Sequence, residues 1–209
     1  MALILLTVLF GNDTSQIVTA STLTQVPEPI DQKTFIQPTI RIWDVSWIPA
    51  DSQPLEGAID LILKGTGLSG LGHKIIEYSK KYGVNPILAL AMFKGESSFA
   101  FRGTRAYVNN NPGNIIATGN CRGSPKGSFC RGIYGEISTD GRFGVYASMV
   151  HGIKAFFIML STEYKPGKRY NCDDMTCVIS SYCTLSKPDK SRYIAQIKEW
   201  MKNYQTQLN

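Results

Sequence analysis

Residues 72–100, GHKIIEYSKKYGVNPILALAMFKGESSFA, predict the centre of the fold. The first part of this stretch sets apolar residues against a lysine-bearing face, and Gly83 is typical of a helix stop. Asn85 and Pro86 then suit the N-cap and first turn of another helix, because proline lacks an N–H that the first turn leaves unpaired anyway. Residues 87–93 are apolar all round and predict a helix that runs through the core.

Helical periodicity continues on both sides of this stretch. Apolar residues at helical spacing predict helices over Leu55–Lys64, His73–Tyr82, Ser148–Tyr164 and Lys190–Tyr204. Residues 101–145, in contrast, are rich in Gly, Asn, Ser and Thr and have little helical period. The predicted fold class is therefore mainly α, with a small irregular β lobe inserted between two helical blocks.

Composition indicates a folded protein with an acidic environment or partner. The 209 residues are 43% apolar and 18% charged, which is typical of a globular domain, and the net charge of +6 favours a polyanionic partner. Because the basic residues are scattered and form no Lys/Arg block, a nucleic-acid partner is not expected. We expect a monomer.

The chain divides into three segments. Residues 1–20 begin with an apolar run of signal-peptide length and end in the small residues of a cleavage site, although no basic residue precedes the run. A buried N-terminal strand is the alternative, and the run is shorter than the roughly 20 residues that cross a bilayer. Residues 21–54 are rich in Pro and Thr and predict a linker, in which residues 40–47 alternate enough for a short strand. The compact domain is expected over residues 55–209.

The five cysteines favour an oxidising compartment. Cys121 and Cys130 bracket a Gly/Ser/Pro stretch that a disulfide would staple, and Cys172, Cys177 and Cys183 form a second group, so one cysteine is left over. A zinc site is disfavoured because there is no CxxC and both histidines lie far from these groups. We therefore expect a secreted or cell-envelope protein, or one associated with a virion, without metal or other cofactor.

Glu96 is the candidate for acid chemistry. It follows directly on the apolar helix and precedes a polar loop, which places a carboxylate where apolar walls meet a cleft. Partial burial disfavours the charged form, raises the pKa and keeps the group protonated, as a general acid requires. The alternative is a solvated glutamate paired with Lys94 or Arg102.

The order of three motifs points to a family. Residues 72–100, then NNPGNI at 110–115 and DGRFGVYASMVHGIKAFFIMLSTEY at 140–164, resemble the glucosaminidase and lysozyme-like superfamily of cell-wall hydrolases. The resemblance covers roughly residues 70–204. It implies a lysozyme-like helical domain that acts on the β-1,4 bonds of peptidoglycan glycan strands.

The resemblance also implies roles for individual residues. Glu96-Ser97 matches the family's helix-end Glu-Ser pair, with Glu96 as the catalytic acid. Asn111 and Asn114 match a sugar-binding loop, although turn formation around the intervening Pro-Gly is compatible with the same residues. Tyr146 is a candidate for packing on a sugar ring, with a core position as the alternative.

A second carboxylate is usual in glycosidases unless the N-acetyl group of the substrate assists. In the family it lies in the β lobe a few tens of residues after the first acid, and Glu136 fits that position better than Asp140 or the more remote Glu163. A mechanism with Glu96 alone stays open. The expected activity is that of an endo-β-N-acetylglucosaminidase, and the alternatives are a muramidase, a lytic transglycosylase, or a non-catalytic domain that binds cell wall.

Overall fold

A computed structural model of the chain describes residues 40–184 and 186–208. The predicted signal peptide at 1–20 and most of the predicted linker lie outside the described residues. The helices are α1 Gln53–Leu63, α2 Gly72–Tyr82, α3 Pro86–Ser97, α4 Arg105–Val108, α5 Met149–Met159, α6 Met175–Tyr182 and α7 Lys187–Leu208. The prediction of a mainly α protein is confirmed.

Helix α3 is the centre of the core. Residues 87–93 are at most 2% exposed, as expected of a helix that is apolar on every face. The Asn85 side chain accepts a hydrogen bond from the N–H of Ile87, which caps the helix start. The long helix α7 packs along α3, so a residue late in the chain reaches the end of α3 that carries Glu96.

The chain leaves α3 through an unusual turn. The helix continues past the predicted apolar segment to Ser97, and three successive residues, Ser98, Phe99 and Ala100, then adopt positive φ angles of 50°, 60° and 52°. L-residues rarely adopt this left-handed conformation, so it persists only where surrounding contacts hold it. One such contact is the hydrogen bond from the Ala100 N–H to the Ser97 hydroxyl.

The insert between α3 and α5 contains the predicted β lobe. Its two strands, β1 Ser138–Asp140 and β2 Phe143–Val145, pair antiparallel with Thr139 opposite Gly144. A disulfide between Cys121 and Cys130 staples this lobe, and a second joins Cys172 to Cys177, which leaves Cys183 free. The prediction of disulfides with one cysteine left over is confirmed.

Three segments differ from the sequence-based expectation. Residues 40–52 form turns instead of a strand, and they pack on the domain through the buried side chains of Ile42 and Ile48. Helix α6 is not predicted by the sequence pattern, because its apolar residues span only two turns. The helix predicted over Ser148–Tyr164 ends as a regular α-helix at Met159 and continues as a π-helical turn over Leu160–Tyr164.

Candidate active site

The Glu96 carboxylate lies in the last turn of α3 and is half-buried. Tyr193 of α7 donates a hydrogen bond from its hydroxyl to Glu96 Oε1 at 2.7 Å. Asn114 donates from Nδ2 to the backbone carbonyl of Glu96, so the loop after α4 also holds this helix end. Contacts from two distant parts of the chain therefore fix the position of Glu96.

The surroundings of Glu96 favour its protonated form. Burial raises the pKa of the Glu96 carboxyl above its ordinary value, and the Tyr193 hydroxyl and the nearby Asn114 amide offset only part of that increase. Among the described residues neither Lys94 nor Arg102 forms an ion pair with it, unlike the alternative considered from sequence. Glu96 thus retains its proton to a higher pH than a solvated glutamate does, which is the property that a general acid needs.

Gly95 allows the close approach between α3 and α7. A Cβ atom at this position would lie 2.6 Å from Tyr193 Oη and 2.8 Å from Tyr193 Cε2, both closer than real contacts permit. Only glycine therefore leaves room for the Tyr193 ring to reach the Glu96 carboxylate. This close packing is the local reason for a glycine in the final turn of α3.

Glu96 stands where two cavities meet. A cleft of about 710 Å³ and a smaller one of about 360 Å³ share four lining residues, Gly95, Glu96, Asn114 and Phe143. Both cavities therefore border Glu96. This arrangement suits a chain-like substrate that passes the acid, with units bound on either side of the reacting bond.

The larger cleft is lined by more cations than anions. Arg122, Arg142 and Arg169 line it, and its acidic residues within the described chain are Glu96 and Glu163. Arg122 and Arg142 form no ion pair with any described residue. A cleft with uncompensated guanidinium groups attracts anionic ligands.

Glu136 lies outside both cavities. It is 1% exposed, its Oε1 accepts hydrogen bonds from the Thr118 N–H and hydroxyl at 3.1 and 2.6 Å, and its Oε2 accepts one from the Tyr134 N–H at 2.9 Å. These contacts tie separate segments of irregular chain together inside the β lobe. A role as second acid stays a prediction, and it would require the carboxylate to exchange these partners.

The other predicted site residues separate into two groups. Asn114 lines both cavities, and Ser97 lines the smaller one while its hydroxyl donates to the Pro112 carbonyl at 2.7 Å. Asn111 is buried, and its side-chain amide bonds three backbone groups of the protein, at Ile115 and Gly144. Tyr146 is 1% exposed and borders neither cavity. Asn111 and Tyr146 are therefore buried beneath the walls of the cavities and do not line them.

Sequence reasoning missed two tyrosines of the cleft. The spacing of Tyr193 from Ile197 predicts only that Tyr193 lies on the apolar stripe of the last helix. Its hydrogen-bond partner, Glu96, lies 97 positions earlier in the chain, and local spacing does not predict such a contact. Tyr182 of α6 lines the cleft and donates its hydroxyl hydrogen bond to the Gly113 carbonyl in the Asn-Asn-Pro loop. Both residues connect C-terminal helices to the loops around Glu96.

No protein-family model, no curated protein and no solved structure matches this chain. Over the part of the chain that the structure describes, no helix is long and apolar enough to cross a membrane, and no group of His, Cys, Asp and Glu is arranged to hold a metal ion.

Proposed function

We propose that this chain cleaves β-1,4 glycosidic bonds in the glycan strands of peptidoglycan, with Glu96 as the proton donor. The observation that carries the proposal is the position of Glu96: a carboxyl of raised pKa at the junction of two cavities, held by the Tyr193 hydroxyl. The favoured activity is that of an endo-β-N-acetylglucosaminidase in a lysozyme-like domain. Two disulfides fit a secreted, envelope or virion-associated protein.

In the proposed reaction the glycan lies in the two cavities that border Glu96, with a glycosidic oxygen beside the carboxyl. The carboxyl donates its proton to that oxygen, the bond from C1 to the oxygen breaks, and positive charge develops at C1. Water then attacks C1 and its extra proton returns to the ionised Glu96 or passes to another base. The products are two shorter strands, one with a new reducing end.

The developing charge at C1 needs support from the opposite face. The sequence resemblance suggests that Glu136 stabilises this charge, but the oxygens of Glu136 already accept three hydrogen bonds from the protein. The N-acetyl group of the substrate requires no rearrangement of the β lobe, and we favour it for this role. Involvement of Glu136 remains the alternative.

A lytic transglycosylase is the second candidate. Such an enzyme uses one carboxyl as acid and then as base, and a substrate hydroxyl replaces water in the attack on C1. The three hydrogen bonds that Glu136 already accepts favour a mechanism of this kind, since it needs no second acid from the β lobe. The ends of the products distinguish the two reactions.

The test is digestion of purified peptidoglycan by the wild-type chain, by Glu96→Gln and by Glu199→Gln, with the fragments analysed by mass spectrometry. Glu199 is exposed on α7 and lies outside both cavities, so its variant controls for loss of one carboxylate. Reducing N-acetylglucosamine ends support a glucosaminidase, reducing muramic acid ends a muramidase, and anhydro ends a transglycosylase. Release of nothing by folded wild-type protein from several wall types rejects the enzyme and leaves a wall-binding or structural domain.

A further inference from the structure

Two of the cleft arginines lie over aromatic rings that line the same cavity. The guanidinium of Arg142 lies 4.9 Å from the centroid of Phe143, and that of Arg169 lies 5.2 Å from the centroid of Tyr170. Contact with a ring restrains the guanidinium while leaving N–H groups free for hydrogen bonding. Each of these two cationic groups is therefore restrained by one ring contact before any ligand arrives.

The backbone beneath each arginine is also held. Arg142 lies in the turn between β1 and β2, and its carbonyl accepts a hydrogen bond from the Ala117 N–H at 2.8 Å. Next to Arg169, the Tyr170 N–H donates to the Glu163 carbonyl at 2.8 Å, and the Tyr170 ring stacks on Tyr164 with centroids 4.6 Å apart. Both guanidinium groups thus extend from anchored segments and not from free loops.

The two arginines differ in their ion pairs. Arg142 forms no ion pair with any described residue, whereas Arg169 Nη1 forms one with Glu163 Oε2 across 3.9 Å. The other oxygen of this carboxylate, Glu163 Oε1, accepts a hydrogen bond from the Tyr134 hydroxyl at 3.0 Å. Arg105 also lies over the Phe143 ring but, unlike Arg142, it forms an ion pair with Asp140, at 3.5 Å.

We propose that Arg142 and Arg169 form a carboxylate-recognition subsite that makes the cleft selective for anionic glycan over neutral glycan. A planar guanidinium fork matches a carboxylate. Arg142 has no ion pair with a described residue to break when it binds one, and Arg169 has one long pair, with Glu163. The inference rests on the proposed function and names its substrate class more narrowly. The carboxylate has two sources in peptidoglycan: the lactyl group of a muramic acid that has lost its peptide, and the acidic groups of an attached peptide.

The test measures binding, separately from turnover. Glu96→Gln protein is titrated calorimetrically with three ligands of equal chain length: a neutral N-acetylglucosamine oligomer, a peptide-free muramic acid oligomer, and the same oligomer carrying its peptides. We expect at least one muramic ligand to bind about tenfold more tightly than the neutral oligomer, and the advantage to fall as salt is raised. The two muramic ligands identify which carboxylate is recognised.

Variants assign the preference to the two arginines. Arg142→Gln and Arg169→Gln, each in the Glu96→Gln background, are expected to weaken binding of the favoured muramic ligand about fivefold and to leave the neutral oligomer unchanged. Arg131→Gln is the control, because Arg131 is an exposed arginine of the β lobe outside both cavities. Equal loss in the control variant, or equal affinity for neutral and muramic oligomers, overturns the subsite.

The carboxylate subsite and the proposed hydrolase function can be rejected independently. If carboxylate-dependent binding is found but wild-type protein cleaves no wall, the subsite stands and the hydrolase is rejected. If the wall is cleaved and both arginine variants bind every ligand as the Glu96→Gln protein does, the hydrolase stands and the subsite is rejected.

Discussion

The end of α3 and the β lobe each hold one glutamate, and the two regions satisfy its carboxylate differently. Glu96 is half-buried at the edge of a cleft and accepts one side-chain hydrogen bond, from Tyr193. Glu136 is 1% exposed and accepts three hydrogen bonds from Thr118 and Tyr134. A carboxyl that remains partly unsatisfied beside open space can transfer a proton, whereas one that is fully bonded holds chain segments together.

The largest expected effect is that of Glu96→Gln on activity. The amide cannot donate a proton to the glycosidic oxygen, so we expect peptidoglycan cleavage to fall by a factor of about 10² to 10⁴ or to vanish. The measurement is the rate of release of soluble fragments, with Glu199→Gln as the matched variant. Activity of Glu96→Gln within tenfold of wild type would remove Glu96 from the chemistry.

The same substitution is expected to stabilise the fold. Because burial raises the pKa of Glu96 in the folded chain, protonation favours folding below the unfolded pKa, and that contribution is lost as pH rises through the folded pKa. At neutral pH the buried carboxylate is ionised at a cost in folding free energy, and an amide has no charge to bury. We therefore expect Glu96→Gln to gain about 1 kcal/mol in unfolding free energy at neutral pH, and less at acidic pH. Urea unfolding at two pH values provides the check, and a destabilised variant at neutral pH would contradict it.

Glu136→Gln is expected to have the opposite effects to Glu96→Gln: it should destabilise the fold and leave activity nearly unchanged. The new side-chain amide would turn its N–H groups toward an N–H donor, either that of Thr118 or that of Tyr134, in a site closed to water. We expect a loss of about 2 kcal/mol in unfolding free energy and little change in the rate per folded molecule. Thermal unfolding and activity well below the transition separate these effects. A variant that unfolds like wild type but has lost its activity would instead make Glu136 the second acid.

Gly95→Ala is expected to act through Tyr193. The added methyl group would overlap the Tyr193 ring, so α3 and α7 must separate, at a cost of about 1 to 3 kcal/mol. Gly57→Ala is the matched control, since a Cβ at Gly57 of α1 meets no atom within 4 Å. Equal unfolding free energies for the two variants would show that the contact at Gly95 relaxes freely.

Tyr193→Phe should give the smallest effect, a shift in pH dependence. The hydrogen bond from Tyr193 lowers the pKa of Glu96, so its removal raises that pKa further. Glu96 must be protonated to act, and the alkaline limb of the pH–rate profile is therefore expected to move to higher pH. Tyr107→Phe, at an exposed tyrosine outside both cavities, is expected to leave the profile in place. An unchanged or acid-shifted limb in Tyr193→Phe would contradict the assignment.

Most of the helical framework, apart from α4 and α6, and the candidate acid can be predicted from the sequence alone. Residues 87–93 predict a core helix because an all-apolar segment between Pro86 and Glu96 has no solvent-facing side, and hydrophobicity is a property that each residue carries with it. Gly83 is predicted equally well as a helix end, since its left-handed φ of 60° follows from the lack of a side chain. The grouping of the cysteines predicts the disulfide framework up to the choice of pairing.

The surroundings of Glu96 depend on the tertiary structure. The hydrogen bond from Tyr193, the enclosure of Glu136 and the placement of Arg142 and Arg169 on one cleft all involve residues that are distant in sequence. The β lobe illustrates the reason. Residues 101–145 have little hydrophobic periodicity, so side-chain hydrogen bonds, a disulfide and close contacts at glycines fix their path, and the partners in such contacts are not encoded by local spacing.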